Sequence, residues 1–336
     1  MNDKQDRQRQ EGLYRGEYEH DACGVGMVAN LSGEASHDIV LKGITVLKRL
    51  MHRGATGNDP ETGDGAGLLM RIPYGFFRKI ISNKTSDFGP RTSATAEFGV
   101  AMLFGGEGEE AAIEGAVKAE GCEVLGWRDV PVDPDAIGRD ARSVMPRIRQ
   151  LFIGTPDLGL KTSAAEVGSP KSEVLAFERR LYIIRRGIEK ATKKTYVCSC
   201  SSRTIVYKGL LLATQIEKFY PDLSDPDFVS PFAIVHQRYS TNTFPTWELA
   251  HPFRAIAHNG EINAIKGNLN ALAAREASLA SPVFGDELKK VLPTVHGGQS
   301  DSASLDNVFE LLVAAGRDAP HAMMMLIPQA WGQKYT

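Results

Sequence analysis

Beyond residue 22 the chain alternates short apolar runs with stretches of helical spacing. Cys23-Gly-Val-Gly-Met-Val-Ala-Asn-Leu alternates small and apolar residues as a buried strand does. Residues 37–51 then place Val40, Ile44, Leu47 and Met51 three or four apart, which predicts an amphipathic helix with Gly54 as its stop. Past a glycine-rich loop at 63–67, the pattern predicts strands over 68–72, 98–104 and 122–127, with helices over 74–81 and 109–120. Residues 155–172 show little periodicity and read as an exposed excursion between two halves. The second half predicts strands at 181–184, 196–200, 204–207, 232–238 and 254–258, and helices at 210–219, 263–279 and 301–315. Residues 323–336 close no recognisable element. Strands grouped together with helices between them point to a layered α+β fold rather than strict βαβ alternation.

Composition narrows the function classes. The 336 residues are 42% hydrophobic and 24% charged, enough for a large core, in one enlarged domain or two. Thirty-nine basic against 41 acidic residues leave a formal charge of −2, so the basic excess of an electrostatic nucleic-acid binder is missing. The longest apolar stretches, such as 322–328, fall far short of the roughly 20 residues of a membrane helix. Residues 1–21 are crowded with charged and amide side chains and have no apolar core, unlike an ordinary secretory signal, so the expected location is the cytoplasm. Residues 1–22 read as a polar leader too poor in apolar surface to order itself.

Four cysteines are too few and too scattered for a disulfide framework. Cys198 and Cys200 lie two apart in a β-rich stretch, where period two is expected to put both on one face; core packing is the expectation for them and for Cys122. With no second Cys or His pair to complete a ligand set, no metal site is expected.

Four short segments could carry chemistry, and each has an ordinary explanation. Cys23 heads a strand between small residues, where a lone thiol is usually core. Arg238, in His236-Gln-Arg-Tyr-Ser-Thr-Asn-Thr, leaves an apolar strand, where a charge is usually solvated. Asn259-Gly260 is a strong hairpin-turn signal. Ser300-Asp301 has the form of a helix cap. Together they supply what one reaction needs. A thiolate attacks a carboxamide carbon, and the Asn259 amide beside the Gly260 N–H could hold the oxyanion that develops. Arg238 and Asp301 could hold the carboxylate and ammonium of an amino-acid substrate.

On these segments, with Leu50-Met-His-Arg-Gly-Ala, Thr62-Gly-Asp-Gly-Ala-Gly-Leu, Phe177-Glu-Arg-Arg-Leu-Tyr and Ala257-His-Asn-Gly-Glu-Ile-Asn, the sequence resembles the class II (N-terminal nucleophile) glutamine amidotransferases. Within them it resembles the glutaminase domain of the glutamate synthase large subunit. The resemblance implies a four-layer αββα sandwich, with 1–22 removed on maturation and 23–336 forming an amidotransferase domain that continues past residue 336 in the family. It implies Cys23 as nucleophile, Asn259 and Gly260 as oxyanion hole, Arg238 as carboxylate holder, Asp301 as ammonium holder, and Tyr239 and Thr241 as pocket lining. The substrate implied is L-glutamine. No cofactor is expected in this segment; FMN, an iron–sulfur cluster and a small subunit or electron donor are implied for the remainder of the enzyme. Rival readings are another aminating enzyme's amidotransferase domain, a papain-like hydrolase using His236, His251 or His258 as base, a phosphate-binding loop at 63–67, and a catalytically silent fragment.

Overall fold

Which side of each apolar run must be buried fixes the register of eight strands. The computed structural model describes residues 24–82, 98–155, 170–238, 244–259, 262 and 265–327, with side chains omitted for 170–172. In one sheet β1 (Val25–Ala29), β8 (Phe232–Gln237), β2 (Ala66–Arg71) and β7 (Thr204–Gly209) lie in that spatial order, every neighbour antiparallel. In the other the order is β4 (Glu123–Asp129), β5 (Ile148–Gly154), β3 (Phe98–Gly105) and β6 (Thr195–Ser201), again antiparallel throughout.

The helices of eight or more residues are α1 (His37–Arg49), α2 (Tyr74–Ser82), α3 (Glu110–Ala119), α4 (Pro170–Ala191), α5 (Ile265–Glu276), α6 (Asp301–Ala314) and α7 (Ala319–Leu326). The Ser36 hydroxyl accepts the Ile39 N–H to start α1, and Lys48 and Arg49 close it where cations suit the helix dipole. Its buried stripe, Val40, Ile44 and Leu47, joins Leu68, Met70, Tyr207, Ala233 and Val235 of the first sheet and Val100, Phe104 and Phe152 of the second in one core. The alternate residues of the second sheet, Ala101, Leu103, Leu151, Ile153 and Val197, face α3 and α4 in another. That sheet is therefore buried on both faces, and each of its core aromatics is worth about 3–5 kcal/mol against alanine. None of the helices is long and apolar enough to cross a membrane, among the described residues.

Several expectations are corrected. Residues 181–184 are not a strand but the middle of the 22-residue α4. Leu181 and Ile184 pack on the second sheet while Tyr182 and Ile183 pack on Phe284, Leu288 and Leu311, so burial on two sides makes the run read as continuously apolar. Residues 254–258 are not a strand either, because the N–H groups of Arg254, Ala255 and Ile256 donate to the Asp306 carboxylate instead of to a ladder. Cys198 and Cys200 do not share a face. The pairing of β6 with β3 slips between Met102 and Leu103, opposite Ser199 and Val197, and the bulged residue, Cys198, breaks the two-residue alternation. Cys198 thus lies in the first core and Cys200 against the second. Of 210–219, helix forms over Ile216–Phe219. Strand β5 and helix α7 were not anticipated; β5 hides in the sequence because its Arg149 and Gln150 are buried polar residues.

Candidate active site

The site is built where β8 leaves its sheet. Gln237 N–H donates to Gly24 O at 2.8 Å, which closes the ladder with the head of β1. Arg238 N–H then donates to Gly65 O at 2.7 Å, and Arg238 itself takes φ 109°, a conformation that costs a non-glycine residue on the order of 1–3 kcal/mol. Gly24 has to be glycine: a Cβ there would sit 2.4 Å from Gln237 O and 3.4 Å from Asn259 Oδ1. The Asn259 side chain therefore adjoins the residue immediately after Cys23.

The glycine-rich loop reaches the same strand end. Asp64 is 5% exposed, and its Oδ2 lies 3.6 Å from Arg238 Nε. Neither carboxylate oxygen has a closed hydrogen bond, although the backbone at Ala55 and at Asp64 itself lies close enough to favour its charge. Burial pushes this carboxyl above its ordinary range, against a pull in the other direction from the Ala55 contact and the guanidinium. Asp64 N–H donates to Ala55 O and residues from Ala66 on pair with β7 and β8, so these amides close the fold rather than cradle a phosphate.

His236 ties the two halves of the site together. It is fully buried, with Nδ1 3.0 Å from Arg238 O and Nε2 3.1 Å from His258 O, the residue before Asn259. Its ring stacks on His251 at 4.4 Å between centroids. Burial outweighs the two carbonyls, each of which favours the imidazolium, and brings its pKa down to about 4. His251 is likewise fully buried, and burial, then His236, drives its pKa far down. These two imidazoles are thus packed into the fold rather than poised as the base of a papain-like hydrolase.

Asp301 opens α6 behind its cap, Ser300, whose hydroxyl accepts the Ala303 N–H at 3.1 Å. Asp301 Oδ2 accepts the Ile262 N–H at 3.0 Å and Oδ1 the Ser302 N–H at 2.6 Å, so its buried carboxylate is fastened to the segment that carries Asn259. A buried charge cluster sets the height of α6. Arg254 donates to Glu310 at 2.7 Å and pairs with Asp306 at 3.0 Å, and Arg185 of α4 donates to Glu310 at 2.8 Å.

The structure thus brings Arg238, Asn259, Asp301 and Gly24 into one connected neighbourhood. Cys23, Tyr239, Thr241 and Gly260 lie outside the described residues. Asp64 and His236 were not read from the sequence as parts of the site in these roles, and a lone Asp in a glycine-rich loop gives no signal that it faces an arginine 174 positions further on. Among the described residues no group of three His, Cys, Asp or Glu side chains could hold a metal ion. Burial pushes the Cys122 thiol up to about 11 and Cys198 up to about 12, which suits core packing.

Residues 23–336 match the family of class-II glutamine amidotransferases. The chain is 48% identical over 331 residues to the glutamate synthase [NADPH] large chain of Bacillus subtilis (strain 168), covering 96% of this chain and 21% of that protein. It is 45% identical over 339 residues to the glutamate synthase [NADPH] large chain of Azospirillum brasilense, covering 96% and 21%. With the chloroplastic ferredoxin-dependent glutamate synthase of Oryza sativa subsp. japonica the identity is 43% over 325 residues, covering 93% and 19%. The chain thus spans about a fifth of the length of these relatives.

Proposed function

The chain belongs to the class-II glutamine amidotransferases, and on that premise we propose that it hydrolyses L-glutamine through a thioester on Cys23, releasing ammonia. The observation that supports this most is the placement of the Asn259 side chain against Gly24, next to the nucleophile, on a segment fastened to both Arg238 and Asp301.

In this reading cleavage between Ala22 and Cys23 frees the α-amine of Cys23. A free α-amine titrates at about 7.7–8.0 and a thiol at about 8.5, so the amine can take the thiol proton near neutrality, which an amide nitrogen cannot. The thiolate attacks the γ-carboxamide carbon, and the oxyanion is held by the Asn259 amide and the Gly260 N–H. The amine returns its proton to the leaving nitrogen, ammonia departs, and water hydrolyses the γ-glutamyl thioester to glutamate. Arg238 holds the substrate's α-carboxylate, Asp301 its ammonium, and Tyr239 and Thr241 line the pocket. In this reading the two antiparallel sheets and their helices form a four-layer αββα sandwich.

The relatives named glutamate synthase extend the reading to the whole protein: the ammonia passes to a domain that aminates 2-oxoglutarate, in the cytoplasm, with electrons from a small subunit or another donor. FMN and an iron–sulfur cluster would belong to that remainder.

The test is steady-state hydrolysis of glutamine by the mature protein. Cys23→Ala abolishes it, and Asn259→Ala lowers kcat by about 10²–10³ with a smaller change in KM. Turnover that survives Cys23→Ala would overturn the proposal.

A further inference from the structure

We propose that Asp64 is a positioning residue that aims the Arg238 guanidinium at the α-carboxylate of the substrate, a role that rests on the reading of Arg238 given above.

Three observations carry it. Arg238 Nε is buried and unpartnered by any hydrogen bond, while the side chain as a whole is 42% exposed, so the guanidinium is rooted at Nε and reaches solvent beyond it. The group at that root is the Asp64 carboxylate, 3.6 Å away, longer than the roughly 2.7–2.9 Å of a closed charge-assisted hydrogen bond. The carboxylate therefore faces the guanidinium at Nε, the root of the group, from where its charge can orient the head. Lastly, one loop holds both ends of Arg238, since Gly65 O takes its backbone N–H and the preceding residue faces its side chain.

That loop is itself well anchored. Glu61 O accepts Gln215 Nε2 at 2.7 Å and the Gly138 N–H at 3.1 Å, and Thr62 Oγ1 donates to Asp59 at 2.8 Å and accepts the Ala141 N–H at 3.0 Å. A bridge joins Thr56 to Gly63. A carboxylate fixed so firmly, buried and without a closed hydrogen bond, is a poor choice for stability alone. Among the described residues the cation that faces it is Arg238, and the Ala55 backbone also favours its charged form.

The test is a double-mutant cycle on glutamine hydrolysis in the mature full chain, with Asp64→Asn, Arg238→Lys and the pair. Asp64→Asn is expected to raise KM about tenfold with kcat changed less than about twofold, the mark of lost substrate binding. Its melting temperature should hold or rise, because a buried charge has been removed. In the Arg238→Lys background the same substitution should add little. An unchanged KM in Asp64→Asn, a fall in kcat with KM preserved, or a full additive effect in the double variant would each overturn the proposal. Arg238→Lys with a wild-type KM would instead overturn the reading of Arg238 as carboxylate holder, and the proposal with it. Should the double variant not fold, the KM and kcat of Asp64→Asn alone decide.

Discussion

The Nε2 atom of His236 lies 3.1 Å from the carbonyl oxygen of His258, and this contact ties the end of the central strand to the residue preceding Asn259. The same ring meets Arg238 O through Nδ1. The uncharged ring can donate to only one of these two carbonyls, and it packs between the segments that carry the proposed oxyanion and carboxylate holders.

His236 also gives stability a pH dependence. Its pKa in the folded protein, about 4, lies below the ordinary 6.5, so the unfolded chain binds more protons between those values. The contribution is complete above about pH 6.5 and is lost as the pH falls toward 4, on the order of 3 kcal/mol in all. His251 acts in the same direction. Urea melts of His236→Gln should show a loss of about 1–3 kcal/mol at pH 7 and a shallower decline on acidification than wild type.

Removing Arg254 should expose how much the start of α6 depends on buried charge. Arg254→Leu leaves Asp306 and Glu310 without their common cation, and a loss of roughly 3–5 kcal/mol is expected in chemical denaturation. Glutamine turnover should fall with it at temperatures where the variant is still folded, because Asp301 opens the same helix.

Gly24→Ala places a methyl group 2.4 Å from Gln237 O, a backbone atom that cannot rotate away. The head of β1 must shift, and Cys23 with it. We expect kcat/KM to drop about a hundredfold, as a displacement near 1 Å can cause, while the far-ultraviolet circular dichroism stays near wild type.

Much of the fold was legible in the sequence where apolar residues either run on unbroken for a strand's length or recur with the helical period. Helix α1 and strands β1, β2, β3, β7 and β8 follow the expected spans closely, because each is a short apolar run bounded by polar or turn residues, or, for α1, an apolar stripe of helical period. Legibility failed where distant groups intervene. Leu181–Ile184 is buried on two sides of α4, the amides at 254–256 are taken by a carboxylate from 306, and a bulge separates Cys198 from Cys200. None of these partners lies within a local window. For the site, Arg238, Asn259 and Asp301 were read from chemistry, whereas Asp64 and His236 act through contacts that the chain order does not display.

The native thiols should divide sharply in reactivity. Burial holds Cys122 at about 11 and Cys198 at about 12, and raises Cys200 as well, so brief alkylation at pH 7.5 should leave all three unmodified by mass spectrometry. Rapid labelling of any of them in the folded protein would contradict the packing described.

The most direct measurement of the central claim is labelling with a glutamine analogue that carries an electrophilic diazoketone in place of the carboxamide, followed by peptide mapping. The account predicts a single adduct on Cys23, formed by chains that begin at that residue and not by chains that retain residues 1–22. An adduct on another residue, or equal labelling of the unprocessed chain, would contradict it.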